Sequence, residues 1–244
     1  MLNIYKTILS KKTQLNSNTY LYHFDLIEPK EIIFKPGQYV MLKVPSVTGP
    51  VSRLYSIASS NNDKASFELI IEIIPGGLAS NYLFSLKEKT EIIFQGPAGI
   101  FVLKENERSK IFLVTGTGIA PIRAMLISKI KNQKYHLFWG LKNYQEVYLL
   151  DELKQYNNVT MKQFSFKICL SQEQNLNMIP EVNRKYFELG RVNQGFEKLL
   201  NNETIKQLNN CDYYLCGGRL IVESLKQFLV VKNISQENIN FEKF

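Results

Sequence analysis

Cysteine is scarce: three in 244 residues (Cys169, Cys211 and Cys216), with only two histidines. No C-x-x-C pair, H-E-x-x-H run or ferredoxin-type cysteine series occurs. That excludes a disulfide framework, structural zinc and iron–sulfur ligation, and no bound metal is expected. Long apolar runs are also missing. No stretch approaches the roughly 18 uncharged apolar residues of a membrane span, and the N-terminus lacks the basic and apolar regions of a signal peptide. The expectation is a soluble, cytoplasmic, monomeric protein. Lys and Arg exceed Asp and Glu by 30 to 22, a net charge of +8. The basic residues interleave with acids, so no nucleic-acid partner is expected, although a diffuse positive surface can steer an acidic one. A Gly-Lys-Ser/Thr phosphate loop is absent as well, which argues against NTP hydrolysis.

What is present changes rhythm near residue 104. Before it, "YLYHFDLIEP", "QYVMLKVP", "VSRLYSIASS", "FELIIEIIP" and "TEIIFQGP" are short strand-like runs between Pro, Gly and Asn, the pattern of an antiparallel β-barrel or sandwich. One helix-like segment, "LASNYLFSLK", follows "PGG". "LKENERSK" is nearly all polar and reads as a linker. After it, strands ("KIFLVTG", "KYHLFWG", "VTMKQFSFKICLS", "DYYLCGG") alternate with helices ("IAPIRAMLISKIKN", "VYLLDELKQY", "QGFEKLLNNETIKQL", "LIVESLKQFLVVKN"), and "INFEKF" closes as an edge strand. Such alternation predicts a parallel sheet covered by helices on both faces. The expected division is a barrel over 1–103, a linker over 104–110 and a Rossmann-like α/β domain over 111–244.

Two places carry the chemistry. "LVTGTGIAPIRAML" is a strand, a Gly-x-Gly turn and a helix; Gly116 and Gly118 let backbone approach a ligand, and the helix start suits a pyrophosphate. The predicted strands of this half end in Gly116–Gly118, Gly140, Ser171 and Cys216–Gly218, the edge where α/β sheets bind ligands. In the barrel half, "VSRLYSIASS" places Arg53, Tyr55 and Ser56 together. A guanidinium suits a diphosphate, an aromatic face suits a ring system, and a hydroxyl suits a ring nitrogen. An Arg at the rim, a Tyr in the core and a backbone-bonded Ser is the alternative reading. Gly77 and Ser80, at the start of the next predicted helix, form a second anion cradle, so two phosphorylated cofactors are expected.

With "PGQYV", "RLYSIAS", "GGLASNYL", "GPAG", "GTGIAPIRAML", "WG", "DEL", "LSQEQ", "YLCGG" and "FEKF" in order, nearly the whole chain resembles the ferredoxin–NADP⁺ reductase family of two-domain flavoproteins. In wording it is nearest the plant-type ferredoxin reductases. The resemblance implies an FAD site at Arg53, Leu54, Tyr55 and Ser56, with pyrophosphate, ring face and N5 assigned to Arg53, Tyr55 and Ser56. It adds Glu72, Ile73 and Ile74 along the flavin edge, and Gly77, Leu78, Ala79 and Ser80 on the FAD pyrophosphate. NADPH or NADH would bind at Gly116, Thr117, Gly118, Ala120, Pro121 and Ser171, with Cys216, Gly217 and Gly218 beside the nicotinamide. Ser56, Cys216, Glu242 and Phe244 would serve catalysis, Cys216 as a small polarizable contact and Phe244 by stacking on the flavin.

The implied activity is hydride exchange between nicotinamide C4 and flavin N5, with single electrons passed to a separate ferredoxin or flavodoxin. A reductase component of an oxygenase or other electron-transfer complex is the alternative, and a non-catalytic flavin- or nucleotide-binding regulatory subunit a third. Gln172 stands where NADPH-selective relatives commonly have Arg, which leaves the choice of nicotinamide open; Lys142, Arg184, Lys185 and Arg191 are the cations that could compensate.

Overall fold

Alternation at the start of the chain builds β1 (Asn3–Gln14), in which Tyr5, Thr7 and Leu9 point inward and Ile4 and Lys6 outward. The computed structural model describes residues 2–128, 133–159, 163–201 and 208–244. β1 is an addition to the strands read from sequence; its outward Ile4 and half-buried Ile8 blur the apolar–polar contrast. The side-chain oxygen of Asn16 accepts from the amides of Asn18 (3.1 Å) and Thr19 (2.8 Å) and turns the chain into β2 (Thr19–Glu28).

β3 (Tyr39–Val44), β4 (Val51–Ser56), β5 (Ser66–Glu72), helix α1 (Leu78–Ser85) and β6 (Glu91–Ala98) follow. The sheet runs β4-β3-β6-β1-β2-β5, every pair antiparallel. It curls into a half-barrel because its two edges meet: Ile57 bridges Leu69, and the Ala58 amide donates to the Glu68 carbonyl at 2.8 Å. Inside, Phe24, Phe67 and Phe94 pack edge to face or tilted at 4.9–5.5 Å between centroids. Such pairs add about 0.5–1.5 kcal/mol each beyond their burial.

The second sheet contains β7 (Ser109–Thr115), β8 (Tyr135–Leu141), β9 (Phe164–Leu170), β10 (Phe187–Leu189), β11 (Cys211–Gly217) and β12 (Ile239–Lys243). Its order is β10-β9-β8-β7-β11-β12, all parallel. Unbroken burial along β11 is the mark of a sheet covered on both faces. The intervening helices are α2 (Ile119–Ile127), α3 (Leu150–Val159), α4 (Glu181–Arg184), α5 (Val192–Asn201) and α6 (Arg219–Val231). β10 and α4 were not among the elements expected. Parts of three expected elements, residues 129–132, 160–162 and 202–207, lie outside the described residues.

The chain divides into two compact units, Met1–Leu103 with Ala120–Lys129, and Lys104–Ile119 with Ile130–Phe244. Residues 104–110, expected as a linker, belong to the second unit. Lys110 opens β7 fully buried, its ammonium 2.7 Å from Asp212 and 2.5 Å from the Asn106 side-chain oxygen. Polar composition here marks a buried ion-pair network, because the charges that look solvated in sequence converge on one inward carboxylate.

Within the first unit Arg123 of α2 donates through Nη1 to the Ala58 carbonyl (2.9 Å) and to Glu68 (2.7 Å), whose other oxygen lies 3.3 Å from His23. Burial alone would raise the Glu68 carboxyl; hydrogen bonds from His23 and Arg123 outweigh it and bring the pKa from 4.5 to about 2. Its stabilisation is therefore full above pH 4.5 and lost as the pH falls through about 2. His23, raised chiefly by its hydrogen bond to Glu68, acts oppositely: its contribution is full below 6.5 and fades as the pH rises through its folded value. Glu68→Gln is expected to cost about 1.5–3 kcal/mol at neutral pH. In urea titrations its deficit relative to wild type should shrink toward pH 2 and stay constant between pH 5 and 6.

Candidate functional site

β4 departs from barrel alternation. Ser52, Arg53 and Leu54 are exposed in succession, so neither face of this edge strand is covered there. Arg53 Nη1 donates to the Ser52 carbonyl at 3.0 Å, holding the guanidinium along the strand. Tyr55, opposite Val40, rests partly on the barrel core, and burial pushes its phenol up to about 12 against the opposing pull of Arg53. Ser56, opposite Tyr39, is half-buried.

At the end of β5, Glu72 is exposed and accepts from the Asn18 amide at 3.0 Å; Ile73 packs on the core and Ile74 is exposed. Gly76 turns the chain with φ +76°, a conformation open to glycine, and Gly77 precedes α1 without a side-chain cap. The first-turn amides of α1 therefore have no carbonyl partners within the helix. Leu78 is partly exposed, whereas Ala79 and Ser80 are buried. Ser80 Oγ accepts from the Ile74 amide at 2.9 Å, which ties the Gly76–Gly77 turn to β5. An exposed cation, an aromatic face and an uncapped helix start fit a flavin dinucleotide.

In the second sheet β8, β9 and β10 lie to one side of β7 and β11 and β12 to the other, so the order reverses between β7 and β11. Gly116–Gly118 forms a 3₁₀ turn at the end of β7 and leads into α2. A Cβ on Gly118 would lie 2.3 Å from the Cys216 carbonyl oxygen, while one on Gly116, with φ +53°, meets nothing within 4 Å. The turn is thus pressed against β11 on one side and open on the other. Trp139 Nε1 donates to the Gly116 carbonyl at 2.9 Å, and Tyr148, edge-on to Trp139, lies with its hydroxyl 3.4 Å from the same oxygen. This support was not assigned from sequence; its signal is the "WG" at the end of "KYHLFWG". Thr117 is half-buried, but Ala120 and Pro121 are buried. Open backbone amides at an order reversal fit a dinucleotide pyrophosphate.

Cys216 is wholly buried, in register with Glu242 of β12. Burial first, then the Glu242 charge, raises its thiol well above 9. The group stays protonated and is no nucleophile. The Phe244 amide donates to the Gly217 carbonyl (3.3 Å) and the Arg219 amide to the Phe244 carbonyl (3.0 Å), which pins Phe244 beside Gly218 with its ring largely exposed. Ser171, at the end of β9, is exposed and donates by backbone and hydroxyl to the Leu141 carbonyl.

Residues 6–103 match the family described as oxidoreductase FAD-binding domain, and residues 112–227 the one described as oxidoreductase NAD-binding domain. The toluate 1,2-dioxygenase electron transfer component of Pseudomonas putida is 32% identical over 247 residues, spanning 98% of this chain and 67% of that protein. The anthranilate 1,2-dioxygenase electron transfer component of Acinetobacter baylyi is 29% identical, over 98% of this chain and 66% of its own length. This chain therefore spans about two thirds of these relatives. Among solved structures, Amycolatopsis cytochrome P450 reductase GcoB superposes with a TM-score of 0.85 at 23% identity, over 100% of this chain and 70% of that one. A Neisseria gonorrhoeae ferredoxin NADP⁺ reductase with bound FAD and NADP gives 0.80 at 17% identity, over 99% and 98%. At these identities the superpositions speak for the fold. Among the described residues no helix is long and apolar enough to cross a membrane.

All three thiols are buried and raised by burial, Cys169 to about 12 and Cys211 to about 11. A chromogenic disulfide reagent at pH 8 should find no reactive thiol in the native protein and three after denaturation. Rapid native reaction at Cys216 would contradict the geometry described.

Proposed function

The chain belongs to the ferredoxin–NADP⁺ reductase-like family of FAD- and NAD-binding oxidoreductases, and we propose that it takes electrons pairwise from a reduced nicotinamide nucleotide and delivers them singly to a separate carrier. When bound, FAD supplies a ring that accepts hydride at N5 and can release electrons one at a time. The reading rests above all on the Gly116–Gly118 turn at the order reversal of the second sheet, in a chain whose first unit carries the FAD-binding match.

The residues divide the work as follows. Arg53 neutralises the FAD pyrophosphate together with the amides of Leu78, Ala79 and Ser80, while Gly77, its amide donated to the Ile74 carbonyl at 3.0 Å, lets the backbone approach; Ser80 acts through its amide and hydroxyl proton, its oxygen being engaged by Ile74. Tyr55 and Leu54 offer apolar surface to the flavin, and the backbone of Glu72–Ile74 borders it. Ser56 presents a hydroxyl toward flavin N5. Gly116, Thr117 and Gly118 hold the nicotinamide nucleotide's pyrophosphate, with Ala120 and Pro121 forming the first turn of the helix that follows. Ser171 meets the adenosine portion. Cys216, Gly217 and Gly218 keep the nicotinamide side small and uncharged, Glu242 buffers charge there, and Phe244 occupies the nicotinamide position until displaced.

No ferredoxin-type cysteine set occurs within these 244 residues, and the acceptor in this reading is a separate carrier. A low-potential acidic carrier, ferredoxin or flavodoxin, suits the +8 charge of the chain. The two dioxygenase electron transfer components named above favour one specific second reading, in which this reductase serves an oxygenase system. We take the working form as a cytoplasmic monomer.

Purified protein reconstituted with FAD should be yellow and bleach on anaerobic addition of a reduced nicotinamide nucleotide. Ser56→Ala should retain FAD yet slow bleaching in stopped flow by about 10- to 100-fold, the span of a positioned polar or proton-handling group. Yellow protein that neither NADH nor NADPH bleaches would leave only a binding role. Deleting Phe244 should tighten oxidised nucleotide in equilibrium titrations and slow steady-state turnover; an unchanged dissociation constant would remove Phe244 from the site.

A further inference from the structure

We infer that Lys12 is a positioning residue for FAD: from β1 it fastens the C-terminal end of α1, and so fixes the amides at the other end where the cofactor's pyrophosphate binds. The inference rests on the proposed placement of that pyrophosphate at Leu78–Ser80. Lys12 touches no cofactor atom in this arrangement and acts through the helix alone.

α1 has little of its own to hold it in place. Its 8 residues fall short of the roughly 12–15 that an isolated helix needs in water. "LASNYLFS" carries no charged side chain, and only Ala79, Ser80 and Leu83 are buried. The last turn is fastened instead by side chains. Tyr22 Oη, from β2, donates to the Leu83 carbonyl (3.1 Å), Lys12 Nζ to the Phe84 carbonyl (2.6 Å) and Ser85 Oγ to the Tyr82 carbonyl (2.8 Å). The ammonium thereby supplies the positive charge that a helix C-terminus favours and that α1 lacks. With the helix already docked, FAD meets amides that need no ordering on binding.

A break in strand register puts Lys12 there. Tyr5, Thr7 and Leu9 face inward, so unbroken alternation would send Lys12 outward. Leu9 stands opposite Phe24 and Lys11 opposite His23, which leaves Ser10 as an extra residue. Its hydroxyl donates to the His23 carbonyl at 3.1 Å. The bulge reverses the alternation and turns Lys12 to the side of its cross-strand partner Tyr22. There Nζ lies 5.2, 5.5 and 4.7 Å from the ring centres of Tyr20, Tyr22 and Phe84. Burial among the rings lowers the Lys12 pKa from 10.5, and three aromatic faces and a carbonyl replace the water it gives up.

Lys12→Met keeps the apolar stem and removes the charge and the donor, whereas Lys12→Arg keeps both. Flavin fluorescence on dilution of the holoenzyme gives the FAD dissociation constant. Lys12→Met should raise it by about 3- to 10-fold, the span of a cation at a helix C-terminus, and Lys12→Arg should restore most of the loss. Hydrogen exchange at saturating FAD separates positioning from general destabilisation: in Lys12→Met the FAD-induced protection at 78–80 should fall while that at 53–56 persists. Arg53→Met tests the cofactor placement by itself. Wild-type FAD affinity in Lys12→Met, alongside weakened binding in Arg53→Met, overturns the inference and leaves the placement standing. Equal loss of protection in both segments, or a Lys12→Arg variant no better than Lys12→Met, overturns it too. Wild-type protein in which FAD protects none of the amides at 78–80 overturns the placement and the inference together.

Discussion

A single absence of space organises the second unit: between the Gly118 backbone and the Cys216 carbonyl there is no room for a side-chain carbon. Because the end of β11 presses against the turn after β7, the starts of α2 and α6 open at one edge of the sheet. Trp139 and Tyr148 hold the Gly116 carbonyl from the adjacent strand and its following loop. The same packing makes Cys216 inert and aligns it with Glu242 and the closing residues of the chain. What remains open at that edge is backbone N–H, the form of recognition that suits a pyrophosphate and demands little of side-chain identity.

The first unit reaches a comparable end differently. Its half-barrel closes through Ile57–Leu69 and Ala58–Glu68, immediately after Ser56. The strand that carries Arg53 and Tyr55 is thus pinned at its C-terminal end and bare along its middle. A strand held in place yet uncovered can present a guanidinium, an aromatic face and a hydroxyl without first paying to order them.

The parallel strands were legible because burial on both faces leaves a continuous apolar run, as in "KIFLVTG" and "DYYLCGG", and because glycine marks their ends. β1 was less so, since its outward isoleucines mimic the inward face. The segment 104–110 misled for the opposite reason: charge usually signals solvent, and here Lys110 and Asp212 satisfy each other inside. Hydrogen-bond direction is invisible to a pattern. "GGLAS" suggests a hydroxyl aimed at an anion, yet Ser80 Oγ first serves Ile74; "LSQEQ" drew attention to Gln172, when the structurally fixed charge is its neighbour Glu173. Ala120 and Pro121, assigned to the nucleotide from sequence, are buried. Residue type alone does not reveal their burial.

Backbone hydrogen exchange with and without oxidised nicotinamide nucleotide tests the central claim most directly. The account predicts slowed exchange in two separate segments, 115–119 and 216–219, since both line the edge that receives the pyrophosphate. Protection confined to other parts of the chain, with these amides unaffected at saturating nucleotide, would contradict it.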